Sequence, residues 1–148
     1  KEKDIEYRRV KNDNSANVYI GGHISHFKCQ CLMRCVDILL MPYQEKVSIG
    51  IDGYDTGKWM SPMKLFEYMS TGVPIISSEL NVLKEVLDNK RNSILAKPND
   101  IGDWINALNF LQNNKILAEK IASNAYNDFC SLYTWNIRAK KIIKISKY

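Results

Sequence analysis

Lys64, Glu67 and Thr71 recur at the three- and four-residue spacing of one helix face, inside the segment SPMKLFEYMSTGVPIISS, residues 61–78. Leu65, Phe66, Tyr68 and Met69 lie between them, so the polar side chains form a narrow stripe on an otherwise apolar helix. Ser61 is a good N-cap, Pro62 suits the first helical position, and Gly72 stops the helix before a short buried strand, VPIIS. Lys64 therefore falls in the first turn, where the helix dipole disfavours a cation unless an anion accompanies it. A helix N-terminus with a lysine suits a phosphate, and a carboxylate one turn further on suits sugar hydroxyls. The chemistry implied is recognition of a nucleotide sugar. The same spacing also fits an ordinary solvated Lys–Glu pair worth roughly a few tenths of a kcal/mol.

The elements around this segment alternate. Residues 1–11 read as a helix and residues 18–20 as a short strand before Gly21 and Gly22. Ser25 can cap a cysteine-bearing helix that ends before a strand over residues 37–41, which Pro42 terminates. Residues 43–60 show little periodicity, and a loop of that length next to the Ser61 helix is a candidate part of the ligand site. Beyond the central strand, Ser78 is placed to cap a helix carrying Leu80, Leu83, Val86 and Leu87. A last short strand covers residues 94–96, and Pro98 breaks it. Asp100 with Asp103 resembles a capping box, opening a helix with Ile101, Trp104, Ile105, Leu108 and Leu111 on one face. A further helix runs from about residue 115 to 129. Thr134 caps the final one, where Trp135, Arg138, Ala139, Ile142 and Ile143 share a face and Trp135 reads as a structural anchor. Short strands alternating with helices predict a Rossmann-like α/β fold with a doubly wound parallel sheet. Ligands of such sheets bind at the carboxyl ends of the strands, where residues 23–25, 41–44 and 61–64 fall.

Composition bounds the reading. The chain has 148 residues and is 45% hydrophobic, enough for one compact core. No apolar run approaches the ~20 residues needed to cross a bilayer, and no signal peptide is visible, so the expectation is a soluble, cytoplasmic protein. Four cysteines in a chain of this size need no disulfide framework. His23, His26, Cys29 and Cys31 invite a zinc reading, but Phe27, Cys31, Cys35 and Ile38 also fall near a helical repeat that would make the sulfurs core atoms. The net charge is +5, with basic residues gathered at both ends. No aromatic-basic RNA motif or zinc-finger spacing accompanies that charge, so nucleic acid is not expected. An anionic membrane surface, touched peripherally, suits the basic ends, and a merely solvated basic face explains them equally well.

SPMKLFEYMSTGVPIISS followed by LNVLKEVL resembles the donor-binding segment of the family 4 (group 1) glycosyltransferases of the GT-B fold. VDILLMPY resembles the strand that precedes that segment, NVYIGGHISH the strand and glycine further upstream, RNSILAKPND the strand and turn after it, and LYTWNIRAKKII the last helix. The match runs along nearly the whole chain in the family's order. It implies a retaining enzyme that moves a sugar from a UDP- or GDP-linked donor to a hydroxyl, in surface polysaccharide or lipopolysaccharide assembly, with no metal. By this resemblance Glu67 binds the ribose hydroxyls, and Ser61, Met63, Lys64 and Leu65 lie beside the donor diphosphate. Ile24 lies beside the base and Tyr43 walls the pocket.

Two departures accompany the resemblance. Many family members carry a further glutamate about two helical turns before the one at Glu67; here that position is Trp59, so the sugar contact must differ. Residues 1–148 also correspond to a partial nucleotide-sugar-binding domain, with the first Rossmann unit and the acceptor domain absent. The expectation is a piece of a longer or two-part enzyme, inactive alone and needing an N-terminal domain or partner subunit. A partial sheet should expose an edge, which invites a homodimer. The alternative is a non-catalytic module that binds a nucleotide or a partner and transfers nothing.

Overall fold

The computed structural model describes residues 17–19, 22–45 and 62–146. The helix expected over residues 1–11, Ser61, Trp59 and the loop from residue 46 onward lie outside the described residues. The chain divides into two compact units, Lys1–Cys31 and Leu32–Tyr148.

In the first unit Ser25 caps α1 (His26–Met33) as expected: its hydroxyl accepts the Lys28 N–H at 3.4 Å and its carbonyl the Cys29 N–H at 3.0 Å. The burial expected of this helix is corrected. Phe27 is 73% exposed, Cys31 and Cys35 are exposed, and Cys29 is half-buried. Phe27, Cys29, Cys31, Leu32 and Met33 fall on all sides of a 3.6-residue helix, so no single face can be sealed. The strand expected over residues 18–20 is corrected as well. Val18 and Tyr19 are exposed and join no ladder, and a strand without a neighbour has nowhere to place its N–H and C=O groups except water; Ile20 lies outside the described residues.

The second unit is built on a parallel sheet of β1 (Leu39–Met41), β2 (Ile75–Ser78) and β3 (Ile94–Ala96), in that order. Leu39 pairs with Ile75 and Met41 with Ser77, while Ile76 pairs with Ile94 and Ser78 with Ala96. Every residue of β2 is buried, as a central strand covered on both faces requires. On one face Met41 and Ile75 meet Leu65 and Met69 of α2 (Met63–Met69), together with Leu83, Leu87 and Ala125. On the other, Ile76, Ile94 and Ala96 meet Ala107 and Leu111 of α3 (Ile101–Asn113) and Ala118 and Ile121 of α4 (Lys115–Asp128). Each fully buried Leu or Ile contributes roughly 1.5–3 kcal/mol. Helix α4 serves both clusters, its middle residues on one and Ala125 on the other.

Three expectations are corrected in this unit. Residues 81–86 form successive turns instead of a helix capped by Ser78. Ser78 is the last residue of β2 and its hydroxyl is engaged elsewhere, and the segment mixes three- and four-residue hydrogen bonds (Leu83 and Lys84 both to the Leu80 carbonyl). Leu83 and Leu87 still reach the core. Helix α3 turns inward only part of the expected face: Leu111 is buried with Ala107, and Trp104 and Leu108 pack against that cluster, whereas Ile101 and Ile105 are exposed. Its cap is half a box, since Asp100 accepts the Asp103 N–H at 3.1 Å but Asp103 reaches back to the Lys97 N–H at 2.8 Å. After α4 a π-helical turn, Phe129–Tyr133, leads to α5 (Trp135–Ile145), whose Thr134 cap accepts the Ile137 N–H at 3.4 Å as expected. Trp135, expected to anchor α5, is 77% exposed, because the cap sets the helix in place through Ile137 while Trp135 points away from the core.

Candidate functional site

The site predicted around α2 depends on how that helix begins and ends. Pro62 keeps an extended backbone (φ −71°, ψ 120°), so it flanks the helix instead of opening it, and Met63 is the first helical residue. At the other end Gly72 adopts φ +73°, the left-handed conformation that stops a helix with little strain only at glycine. The Thr71 hydroxyl donates to the Tyr68 carbonyl at 2.6 Å and accepts the Val73 N–H at 3.1 Å. Thr71 therefore closes the helix and is not a free member of the polar stripe.

Leu65 and Met69 fix the rotation of α2 by sinking into the core, at 2% and 0% exposure. That leaves Met63 and Lys64 exposed and Glu67 half-buried. The Lys64 ammonium and the Glu67 carboxylate do not pair with each other, and among the described residues neither makes a hydrogen bond or ion pair. The solvated-pair reading of this spacing is thus not what forms. Leu65 is a core side chain, and at its main chain, the part expected beside the diphosphate, the N–H donates to the Pro62 carbonyl at 3.0 Å. A helix N-terminus so near a buried leucine has its first amides to offer from Met63 and Lys64.

Topology sets where these groups lie. Strand β2 follows α2 directly and runs parallel to β1, so α2 runs antiparallel to both and its N-terminus returns to the carboxyl ends of the strands. Tyr43 sits at the same end, just past β1. Its N–H donates to the Met41 carbonyl at 3.1 Å, and its carbonyl accepts the Ser78 hydroxyl at 2.7 Å. Ser78 thereby ties the end of β2 to the residue leaving β1, a role the sequence reading gave instead to a helix cap. The Tyr43 ring is half-buried against the Leu65–Met69 cluster, and burial raises its hydroxyl pKa, so it stays a neutral hydrogen-bonding group. The Tyr68 hydroxyl donates to the Leu40 carbonyl at 3.4 Å, bracing α2 on β1. Ile24 belongs to the Lys1–Cys31 unit and is exposed there. Ser61 lies outside the described residues.

A shallow depression of about 450 Å³ lies elsewhere, lined among others by Glu79, Lys84, Asp88, Arg91 and Tyr133. None of its lining belongs to α2, and both of its cations are paired with its own acids, Lys84 with Glu79 at 3.3 Å and Arg91 with Asp88 at 2.9 Å, while Glu85 adds a further carboxylate, so it offers an anion no free positive charge. We therefore take the unengaged Lys64 and Glu67, and not this depression, as the candidate site. Among the described residues no three His, Cys, Asp or Glu side chains converge as a metal site.

A family profile described as glycosyl transferase-like matches residues 4–144. No curated protein sequence matches the chain. Among solved structures, sucrose-phosphate synthase from Thermosynechococcus elongatus superposes with a TM-score of 0.76 at 18% identity, covering 99% of this chain and 34% of that one. The Anabaena protein HepE in complex with UDP gives a TM-score of 0.74 at 16% identity, covering 99% of this chain and 37% of that one. The C-terminal domain of a glycosyl transferase group 1 family protein, LpcC from Francisella tularensis, gives 0.67 at 20% identity, covering 90% of this chain and 63% of that one. The chain thus spans about a third of the length of the first two. The shared fold is that of the C-terminal domain of GT-B glycosyltransferases.

Proposed function

The chain belongs to the glycosyl transferase-like family, and on that premise we propose that it is the donor-binding part of a retaining glycosyltransferase. In this reading residues 1–148 form part of a nucleotide-sugar-binding domain, and catalysis requires a further domain or partner subunit. The observation that carries it is the pair of unengaged charges on α2, Lys64 and Glu67, one helical turn apart at the carboxyl end of a parallel sheet. That HepE holds UDP on the same fold supports the choice of ligand class.

The donor is a UDP- or GDP-linked sugar and the acceptor a hydroxyl, in cytoplasmic assembly of a surface polysaccharide or lipopolysaccharide. Lys64 and the Met63–Lys64 amides stabilise the diphosphate as it departs, which is positioning and electrostatic work with no covalent step by the protein. Glu67 orients the ribose by accepting its hydroxyl protons in hydrogen bonds. Tyr43, its main chain held by Ser78, forms a rigid wall beside them. A second reading, a binding module that transfers nothing, is favoured by one residue: Trp59 stands where many family members have the carboxylate that holds the sugar.

Calorimetric titration of the chain with UDP and with GDP tests the proposal. The expected result is saturable binding of one of them, weakened at least tenfold in Glu67→Ala, since a hydrogen bond to a charged group contributes about 1.5–3 kcal/mol. Equal affinity in Glu67→Ala, or no binding of either nucleotide, contradicts a donor half-site in this chain.

A further inference from the structure

Strands β1 and β2 diverge after Met41 and Ser77, and one side-chain hydrogen bond holds them where the backbone ladder stops. Amides point to alternate sides along a strand. The Leu39 N–H, which donates to the Pro74 carbonyl, is therefore followed on the β2 side by those of Met41 and Tyr43. The Tyr43 N–H leaves that series and turns back on the Met41 carbonyl at 3.1 Å. On the other strand the Leu80 N–H turns back on the Ser78 carbonyl at 2.9 Å. The bond that crosses here is the one from the Ser78 hydroxyl to the Tyr43 carbonyl, at 2.7 Å. The neighbouring Ser77 hydroxyl stays local, donating to the Ser78 carbonyl at 3.4 Å, so of the two serines that end β2 it is Ser78 that holds the other chain.

The two residues joined by this bond differ in what they can do next. Ser78 is fully buried, so a ligand does not reach it. Tyr43 is half-buried, its ring packed against the cluster that holds Leu65 and Met69 of α2. Its N–H and its carbonyl are both engaged, yet among the described residues its hydroxyl has no hydrogen-bond partner. The Tyr68 hydroxyl, by contrast, is spent on the Leu40 carbonyl. A phenol with a fixed main chain and an unspent hydroxyl gives up little conformational freedom when it meets a ligand.

We propose that Ser78 is a positioning residue of the donor site: its hydroxyl pins the chain leaving β1 so that the Tyr43 hydroxyl donates a hydrogen bond to an oxygen of the donor diphosphate. The inference rests on the donor reading of Lys64 and Glu67. It adds two roles to that reading, Tyr43 as a ligand contact and Ser78 acting only through Tyr43. A hydroxyl donating to an anion makes one of the stronger hydrogen bonds, and it keeps that strength only where the donor is already held in place.

A double-mutant cycle read by calorimetric titration with UDP and with GDP is the test, on the unmodified chain, Tyr43→Phe, Ser78→Ala and the two combined, with Glu67→Ala as control. Tyr43→Phe should weaken binding about tenfold and Ser78→Ala severalfold. The combined variant should bind no more weakly than Tyr43→Phe alone, because both changes act through one hydroxyl. A merely structural serine would lower the thermal midpoint and add its full effect to that of Tyr43→Phe. Failure of the donor reading has its own signature: the unmodified chain binds neither nucleotide, or Glu67→Ala binds as tightly, and the proposal falls with the site. With that control satisfied, full affinity in Ser78→Ala, or an equal loss from it in the Tyr43→Phe background, overturns the positioning role alone. Should Ser78→Ala not fold, NMR of isotope-labelled tyrosine in the unmodified chain, assigned with Tyr43→Phe, gives a second reading. The Tyr43 ring signal is expected to shift on saturation, and a silent Tyr43 beside shifting Lys64 and Glu67 overturns the proposal.

Discussion

Asp128 is held by three donors from a segment far from it in sequence. Arg91 reaches it with two nitrogens, at 2.7 and 3.3 Å, and the Asn92 amide donates at 2.8 Å. Burial works to raise its pKa, but the hydrogen bonds from Arg91 and Asn92 and the guanidinium charge outweigh it, and the carboxyl titrates below its ordinary value. The folded chain therefore binds this proton less readily than the unfolded one. The resulting stability is complete above the ordinary carboxylate pKa and is lost as pH falls through the lowered folded value. Asp128→Asn should flatten the acid limb of a urea-denaturation series across pH and cost about 1–3 kcal/mol at neutral pH, because Arg91 and Asn92 lose a charged partner. The acid limb unchanged in the variant would assign that stability elsewhere. No local spacing announces such a cluster: Arg91 and Asn92 meet Asp128 across 37 and 36 residues. Lys64 and Glu67, by contrast, were readable because a helix repeat brings neighbours in sequence to one face.

At the scale of elements, the pieces legible in the sequence are those whose boundaries have local causes. Strand β3 was found to the residue between hydrophobic signal and Pro98, the Ser25, Asp100 and Thr134 caps accept the amides expected of them, and Gly72 ends α2. Gly72→Ala isolates the last of these. A Cβ at this position meets nothing within 4 Å, so the cost is purely that of the left-handed backbone, about 1 kcal/mol. Thermal unfolding should show a lowered midpoint with the fold retained; an unchanged midpoint would mean the helix end can relax freely. The misread elements had apolar patterns whose outcome is decided by partners. Leu83 and Leu87 are core residues in and just after a run of turns, and the apolar stripe of α5 faces outward although its periodicity is that of a packed helix. Periodicity reports that a face exists, and only tertiary packing says what it meets.

At the scale of the molecule, parallel pairing follows from alternating elements, and it brings the α2 N-terminus, Tyr43 and the ends of β1 and β2 to one edge. The two-faced burial of β2, with α4 serving both clusters, anchors that edge on a packed core, which is the support the proposed donor site needs. The chain covers about a third of the length of sucrose-phosphate synthase and HepE, so the binding edge and the chemistry are separable questions. Amide chemical-shift mapping by NMR during titration with UDP or GDP addresses the first directly. Perturbations concentrated at Met63, Lys64 and Glu67 and reaching Tyr43 are the expected result. Saturating shifts clustered instead on Glu79, Lys84, Asp88 and Arg91, with α2 silent, would contradict the donor site proposed for Lys64 and Glu67.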